Sequence, residues 1–169
     1  MTSAGVNPRA TSRLVLSTRL LRGFATTVAL CFAGPALAGA QAEEKLSASV
    51  QTSMASAIAD RAAPRLIGDV NETQLWLADM SSRLASRMKD SEQRREFLVT
   101  VQYEASRAGL DPQLVLAVIN HESAFRKYAI SSASARGYMQ VMPFWARLIG
   151  DGDEGRLFHM QTNLRFGCV

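Results

Sequence analysis

The chain has 169 residues, 47% of them hydrophobic, which suits one domain folded around a core and excludes a disordered chain. Its net charge of +4 belongs to the first segment: Arg9, Arg13, Arg19 and Arg22 stand there without an acidic residue, and the other 15 basic residues equal the 15 acidic ones. With no basic stripe interleaved with aromatics in the rest of the chain, a nucleic-acid partner is excluded.

Residues 23–42 carry no charge, and their apolar centre, FATTVALCFAGPALA from Phe24, meets Gly34 and Pro35 just before Ala36-Leu37-Ala38. Basic, then apolar, then small-x-small is the layout of a secretory signal peptide, placed at residues 1–38 with Ala42 as the alternative cleavage point. A bilayer anchor needs roughly 20 uncharged residues, which are present, but Gly34, Pro35 and the Thr26-Thr27 pair argue against an uncleaved span. Leu30 is too large for lipid attachment at Cys31. The expected location is therefore the periplasm or cell envelope. Cys31 leaves with the leader, so Cys168 has no intrachain partner. It is either a buried small apolar residue or half of a pair completed beyond Val169.

Residues 39–70 are rich in Ala and Ser, with Leu46, Val50, Met54 and Ile58 four residues apart until Pro64 and Gly68 break the pattern. They read as a linker or a weak helix. Residues 71–169 read as the folded domain. Leu77, Met80, Leu84 and Met88, with Trp76 beside them, predict an amphipathic helix over residues 71–89. Asp90 and Gln93 form a start signal, and Phe97, Val101, Ala105 and Ala108 make the next apolar stripe before Gly109. Asp111-Pro112 opens a third helix reaching about Ala124. A Ser/Ala stretch over residues 131–135 precedes Met142-Pro143, which opens a short helix closed by Gly150; a DGDEG loop then leads to a last helix. That loop resembles the opening of a calcium site, but Arg156 and Thr162 stand where the sixth and twelfth positions want Gly and Glu, so it reads as a solvated loop. No run alternates with period two, and the fold class is all-α.

One carboxylate stands out on these helices. A helical wheel over residues 113–125 sets Glu122 between Val115 and Val118, in an apolar arc with Leu114 and Phe125. A buried carboxylate finds a cation or rises in pKa until it holds a proton. The first outcome is a structural pair with Arg94, Arg107 or Arg126; the second is what a general acid needs. The wheel does not choose between them. His121 has no second His or Cys at ligand spacing, so neither a metal nor another cofactor is inferred.

LDPQLVLAVINHESAF from Leu110, ARGYMQVMPFW from Ala135 and NLRFG from Asn163 resemble, in order and spacing, the motifs of the soluble lytic transglycosylase and goose-type lysozyme family. The resemblance implies a lysozyme-like helical domain acting on peptidoglycan glycan strands. Its reaction would cleave the β-1,4 bond between N-acetylmuramic acid and N-acetylglucosamine, with Glu122 as general acid and the muramic 6-hydroxyl closing to a 1,6-anhydro product. Ser123 would support the glutamate, and Gly137, Tyr138, Met139, Gln140 and Asn163 are the further substrate-binding candidates. No second carboxylate is required, unlike most glycosidases.

Three positions depart from the family's usual pattern: Tyr138 where Leu is common, Ser134 where Gly is common, and His159-Met160 where Asp-Pro often stands. Ser134 matters if its turn needs positive φ. Members continue past the last motif into further helices and a tyrosine-containing segment, so the domain is expected to be incomplete at Val169, with its last helix exposing an apolar side and Cys168 frayed. The competing readings are a non-catalytic peptidoglycan-binding or membrane-associated assembly component, and a lysozyme-like hydrolase.

Overall fold

The computed structural model describes residues 43–59 and 62–169. The leader placed at residues 1–38, Cys31 and both cleavage alternatives lie outside them. Among the described residues the regular structure is helical, with two isolated antiparallel bridges, Ile130 to Arg136 and Arg136 to Val141, and no strand. No helix among them is long and apolar enough to cross a membrane.

Helix starts follow the aspartates. Asp69 accepts from the Asn71 and Glu72 amides and opens α2 (Val70–Leu84); Asp90 accepts from Gln93 and opens α3 (Ser91–Arg107); Asp111 accepts from Gln113 and, with Pro112 in the first turn, opens α4 (Pro112–Ser123). The stripe of Leu77, Met80 and Leu84 is buried as expected, but α2 ends at Leu84, short of Lys89. The reason lies in α3: Asp90 serves as its cap, and Arg94 on its first turn donates to the Met88 and Lys89 carbonyls, fixing the reversal between the two helices. Met88 stays buried outside the helix.

α3 is the axis of the fold and packs on α2, α4 and α6 (Met160–Cys168). Phe97, Leu98, Val101, Ile119 and Leu164 are fully buried at these contacts. Gly109, at φ 70°, takes the left-handed turn that ends α3, and Leu110 N–H closes back on the Ala105 carbonyl. α6 does not expose an apolar side as expected: Leu164 reaches the core and Cys168 packs against it, half-buried.

The Ala/Ser-rich segment resolves as the helix alternative. α1 (Ala48–Ala59) lies along α5 (Pro143–Ile149), where Gln51 Nε2 donates to the Leu148 carbonyl at 2.6 Å, yet none of its residues is buried. A smaller cluster of Val141, Ala146 and Leu157 sits under α5, with Met139 packed against both it and the main core. Before α6 the chain makes a 3₁₀ turn over Glu154–Phe158 that the sequence pattern does not announce. Within DGDEG, Asp151 and Asp153 accept from the amides of Asp153 and Gly155, and Asp151 pairs with Arg156. The Asp153 amide is the main cause that lowers the Asp151 pKa.

Candidate functional site

Glu122 occupies the last turn of α4, and the structure corrects the environment expected for it. It is exposed, and it makes no hydrogen bond or ion pair among the described residues. The buried side of α4 is narrower than the apolar arc of the wheel: Val115, Leu116, Ile119 and Ser123 face the core, while Leu114 and Val118 remain 56% and 37% exposed. Glu122 continues that second strip, one turn beyond Val118. The arginines considered as partners are engaged elsewhere. Arg94 caps the α2–α3 reversal, Arg107 pairs with Glu104, and Arg126 donates its Nε to the Ser123 carbonyl at 3.0 Å.

Just after Glu122 the backbone is held in an unusual state. Ala124 and Phe125 are both left-handed, at φ 49° and 64°, a conformation that costs L-residues free energy and persists only under external constraint. The constraints are visible. The Arg126 amide and Nε both donate to the Ser123 carbonyl, and the Ser123 hydroxyl, fully buried, donates to the Ile119 carbonyl. Phe125 meets Phe97 edge-on at 6.1 Å. Ser123 therefore fixes the end of the helix, and its hydroxyl is directed inward.

The second motif forms a tight loop locked by the third. Asn163 is buried, and its side-chain amide donates to the carbonyls of Arg136 and Leu157 and accepts from the Met139 amide, each at 2.8 Å. Gly137 has φ 74°, and a Cβ there would stand 2.4 Å from Asn163 Nδ2, so glycine is required twice over. One turn along α6, Gly167 leaves room for Met139, whose side chain a Cβ would meet at 2.6 Å. Gln140, also left-handed, donates to the carbonyls of Ala129 and Gly137, leaving its side-chain oxygen free. Tyr138 turns into the core against Phe97 at 4.9 Å, and burial pushes its hydroxyl pKa above 10.0. Phe97 thus joins the turn after Glu122 to the Gly137–Gln140 loop. Of the residues singled out in the sequence, Asn163 and Gly137 are placed as scaffold, Ser123 as a helix clamp, and Glu122, the Gln140 oxygen and the Tyr138 hydroxyl as the groups with polar atoms free of partners among the described residues.

This geometry explains why the three motifs occur together, and the family comparison covers the same span. Residues 100–168 match the family model described as the transglycosylase SLT domain. This segment is a transglycosylase SLT domain. The chain is 38% identical over 83 residues to the membrane-bound lytic murein transglycosylase C of Actinobacillus pleuropneumoniae serotype 5b (strain L20), covering 44% of this chain and 23% of that protein. It is 44% identical over 52 residues to the proteins of the same name from Haemophilus influenzae (strain PittEE) and Mannheimia succiniciproducens, covering 31% of this chain and 15% of each relative. The chain thus spans less than a quarter of the length of these relatives. No solved structure matches.

Sequence reasoning missed two features of the SLT domain. Arg126 is weighed there only as a partner of Glu122; its clamp on the Ser123 carbonyl and the paired left-handed residues leave no pattern in composition or spacing. Glu104 does leave one: it lies on the Phe97–Val101 face of α3 and is fully buried, bound bidentately by Arg165 and also by Arg107 and Gln161. The wheel test that selected Glu122 finds Glu104 as well, and there the ion-pair outcome holds.

Proposed function

We propose that this SLT domain cleaves the β-1,4 bond between N-acetylmuramic acid and N-acetylglucosamine in peptidoglycan, in the cell envelope, with Glu122 as the acid and then the base. The observation that carries the reading is an unpaired carboxylate on an exposed apolar strip, at a turn whose strained backbone is locked to the Gly137–Gln140 loop. The relatives' printed names supply the substrate and the envelope setting.

In this scheme a glycan strand lies over Leu114 and Val118 and excludes water from Glu122, which strengthens every charge interaction there. Protonated Glu122 donates to the bridging oxygen as the bond to the muramic anomeric carbon breaks. The resulting carboxylate takes the proton of the muramic 6-hydroxyl as that oxygen bonds to the anomeric carbon. Glu122 ends protonated, water is not consumed, and the product is a 1,6-anhydro ring. The Gln140 side-chain oxygen offers the sugar a hydrogen-bond acceptor on a rigid loop. Asp151, Asp153 and Glu154 take no part, being held by backbone amides and by Arg136, Arg147 and Arg156.

Digestion of purified sacculi followed by mass analysis of the released muropeptides tests the reaction. The expected products are one water lighter than the reducing muropeptides. Reducing ends would replace the scheme by hydrolysis. Sacculus binding with no release would favour a non-catalytic binding module, a reading that the open surroundings of Glu122 also suit.

A further inference from the structure

A cleft of about 790 Å³ lies between the outer face of α3 and the start of α6, and Glu122 does not border it. Tyr138 closes one side. That residue is only 3% exposed, yet its hydroxyl hydrogen-bonds nothing among the described residues and is not sealed from solvent. A buried phenol normally finds a partner. Around the same cleft stand Glu92, Arg95, Glu96, Lys127 and His159, none in an ion pair among the described residues; Lys127 only overhangs the Tyr128 ring, at 5.3 Å. Glu92, Arg95 and Glu96 share one face of α3 at helical spacing. Two of the chain's three departures from its family's usual pattern, Tyr138 and His159-Met160, also meet here.

We propose that this cleft binds a short peptide carrying both free amine and free carboxylate groups, with the Tyr138 hydroxyl as its buried anchor. Lys127 and Arg95 face the carboxylates, Glu92 and Glu96 face the amine, and the volume lies in the range of small-ligand sites. If the substrate is peptidoglycan, as proposed above, the peptide of this chemistry is the stem carried on muramic acid, and the cleft would read the degree of peptide substitution of the strand being cut. The peptide assignment rests on that reading only for the identity of the ligand.

The test is titration of the isotope-labelled full chain with the free stem tripeptide, L-Ala-γ-D-Glu-meso-diaminopimelate, followed by amide NMR shifts. Saturable shifts are expected at residues 92–100, 138 and 159–161. Tyr138→Phe removes one unpartnered oxygen and keeps the ring on Phe97, so the variant should fold and bind about 10-fold more weakly, as should Lys127→Ala. Shifts indifferent to both substitutions, or none at millimolar peptide, would overturn the proposal. So would chitotetraose moving the same amides while the peptide moves none. Because the readout involves no bond cleavage, failure here leaves the role of Glu122 standing, and failure of that role leaves this binding measurable.

Discussion

At the residue scale, the left-handed positions separate strain that serves the site from strain that does not. Ser134 has φ 70° in an exposed turn, where glycine would relieve the backbone at no cost in contacts. Ser134→Gly should therefore raise the unfolding free energy by about 0.5–1 kcal/mol in urea titration. Asn163→Ala should do the reverse, because it strands two carbonyls and one amide inside the molecule, and a loss of about 2–4 kcal/mol is expected in the same measurement. Burial, and then the nearby Glu104, raise the Cys168 thiol from its ordinary 9.0 to about 12. A raised folded value favours the neutral thiol, so the stabilising contribution is complete below pH 9 and is lost as pH rises toward 12. Alkylation of Cys168 at mildly alkaline pH, followed by peptide mass, should run at least about 10-fold slower in the folded chain than in urea. Sequence pattern carried the identity of these residues further than their roles. Asn163 and Gly137 are legible as a motif, but that they clamp each other follows only from the approach of α6 to the loop, which no spacing reveals.

At the element scale, the α3–α6 contact combines the packing of Leu164 with a buried ion pair, Glu104 with Arg165 at 2.8 Å. Glu104→Ala leaves the buried Arg165 guanidinium uncompensated and should cost about 3–5 kcal/mol, whereas Arg165→Ala leaves Glu104 with Arg107 and Gln161 and should cost less, and Glu104→Leu combined with Arg165→Met should recover most of the loss in a double-mutant cycle. The exposed pair of Asp79 and Arg83 on α2 is the control, where Asp79→Ala should change stability by less than about 0.5 kcal/mol. The helices themselves were legible because α2 carries a periodic apolar stripe and α3 and α4 begin at the aspartate caps Asp90 and Asp111; the cap of α2 at Asp69 was not read from the sequence. The early end of α2 was not, since it depends on Arg94 reaching back from the next helix. The Ala/Ser composition likewise could not choose between linker and helix for α1, because the contact that settles it comes from Leu148, some hundred residues away.

At the scale of the whole molecule, the three motifs form one device. α4 presents Glu122, the loop over residues 137–140 packs beside its terminal turn through Phe97, and α6 bolts that loop down through Asn163 and Gly167. The wheel singled out Glu122 for a reason the structure alters: its apolar neighbours Leu114 and Val118 are not core but surface, a strip open to an occupant. A glycan strand is the occupant proposed, which makes Glu122 the point on which the whole account turns. The most direct measurement is the rate of anhydro-muropeptide release from sacculi by the wild-type chain and by Glu122→Gln, with circular dichroism to show that both fold. Glutamine cannot deliver a proton, and a rate at least about 10²–10⁴ lower is expected with folding unchanged, the range that a positioned acid supplies. Release by a folded Glu122→Gln variant at the wild-type rate would contradict the account.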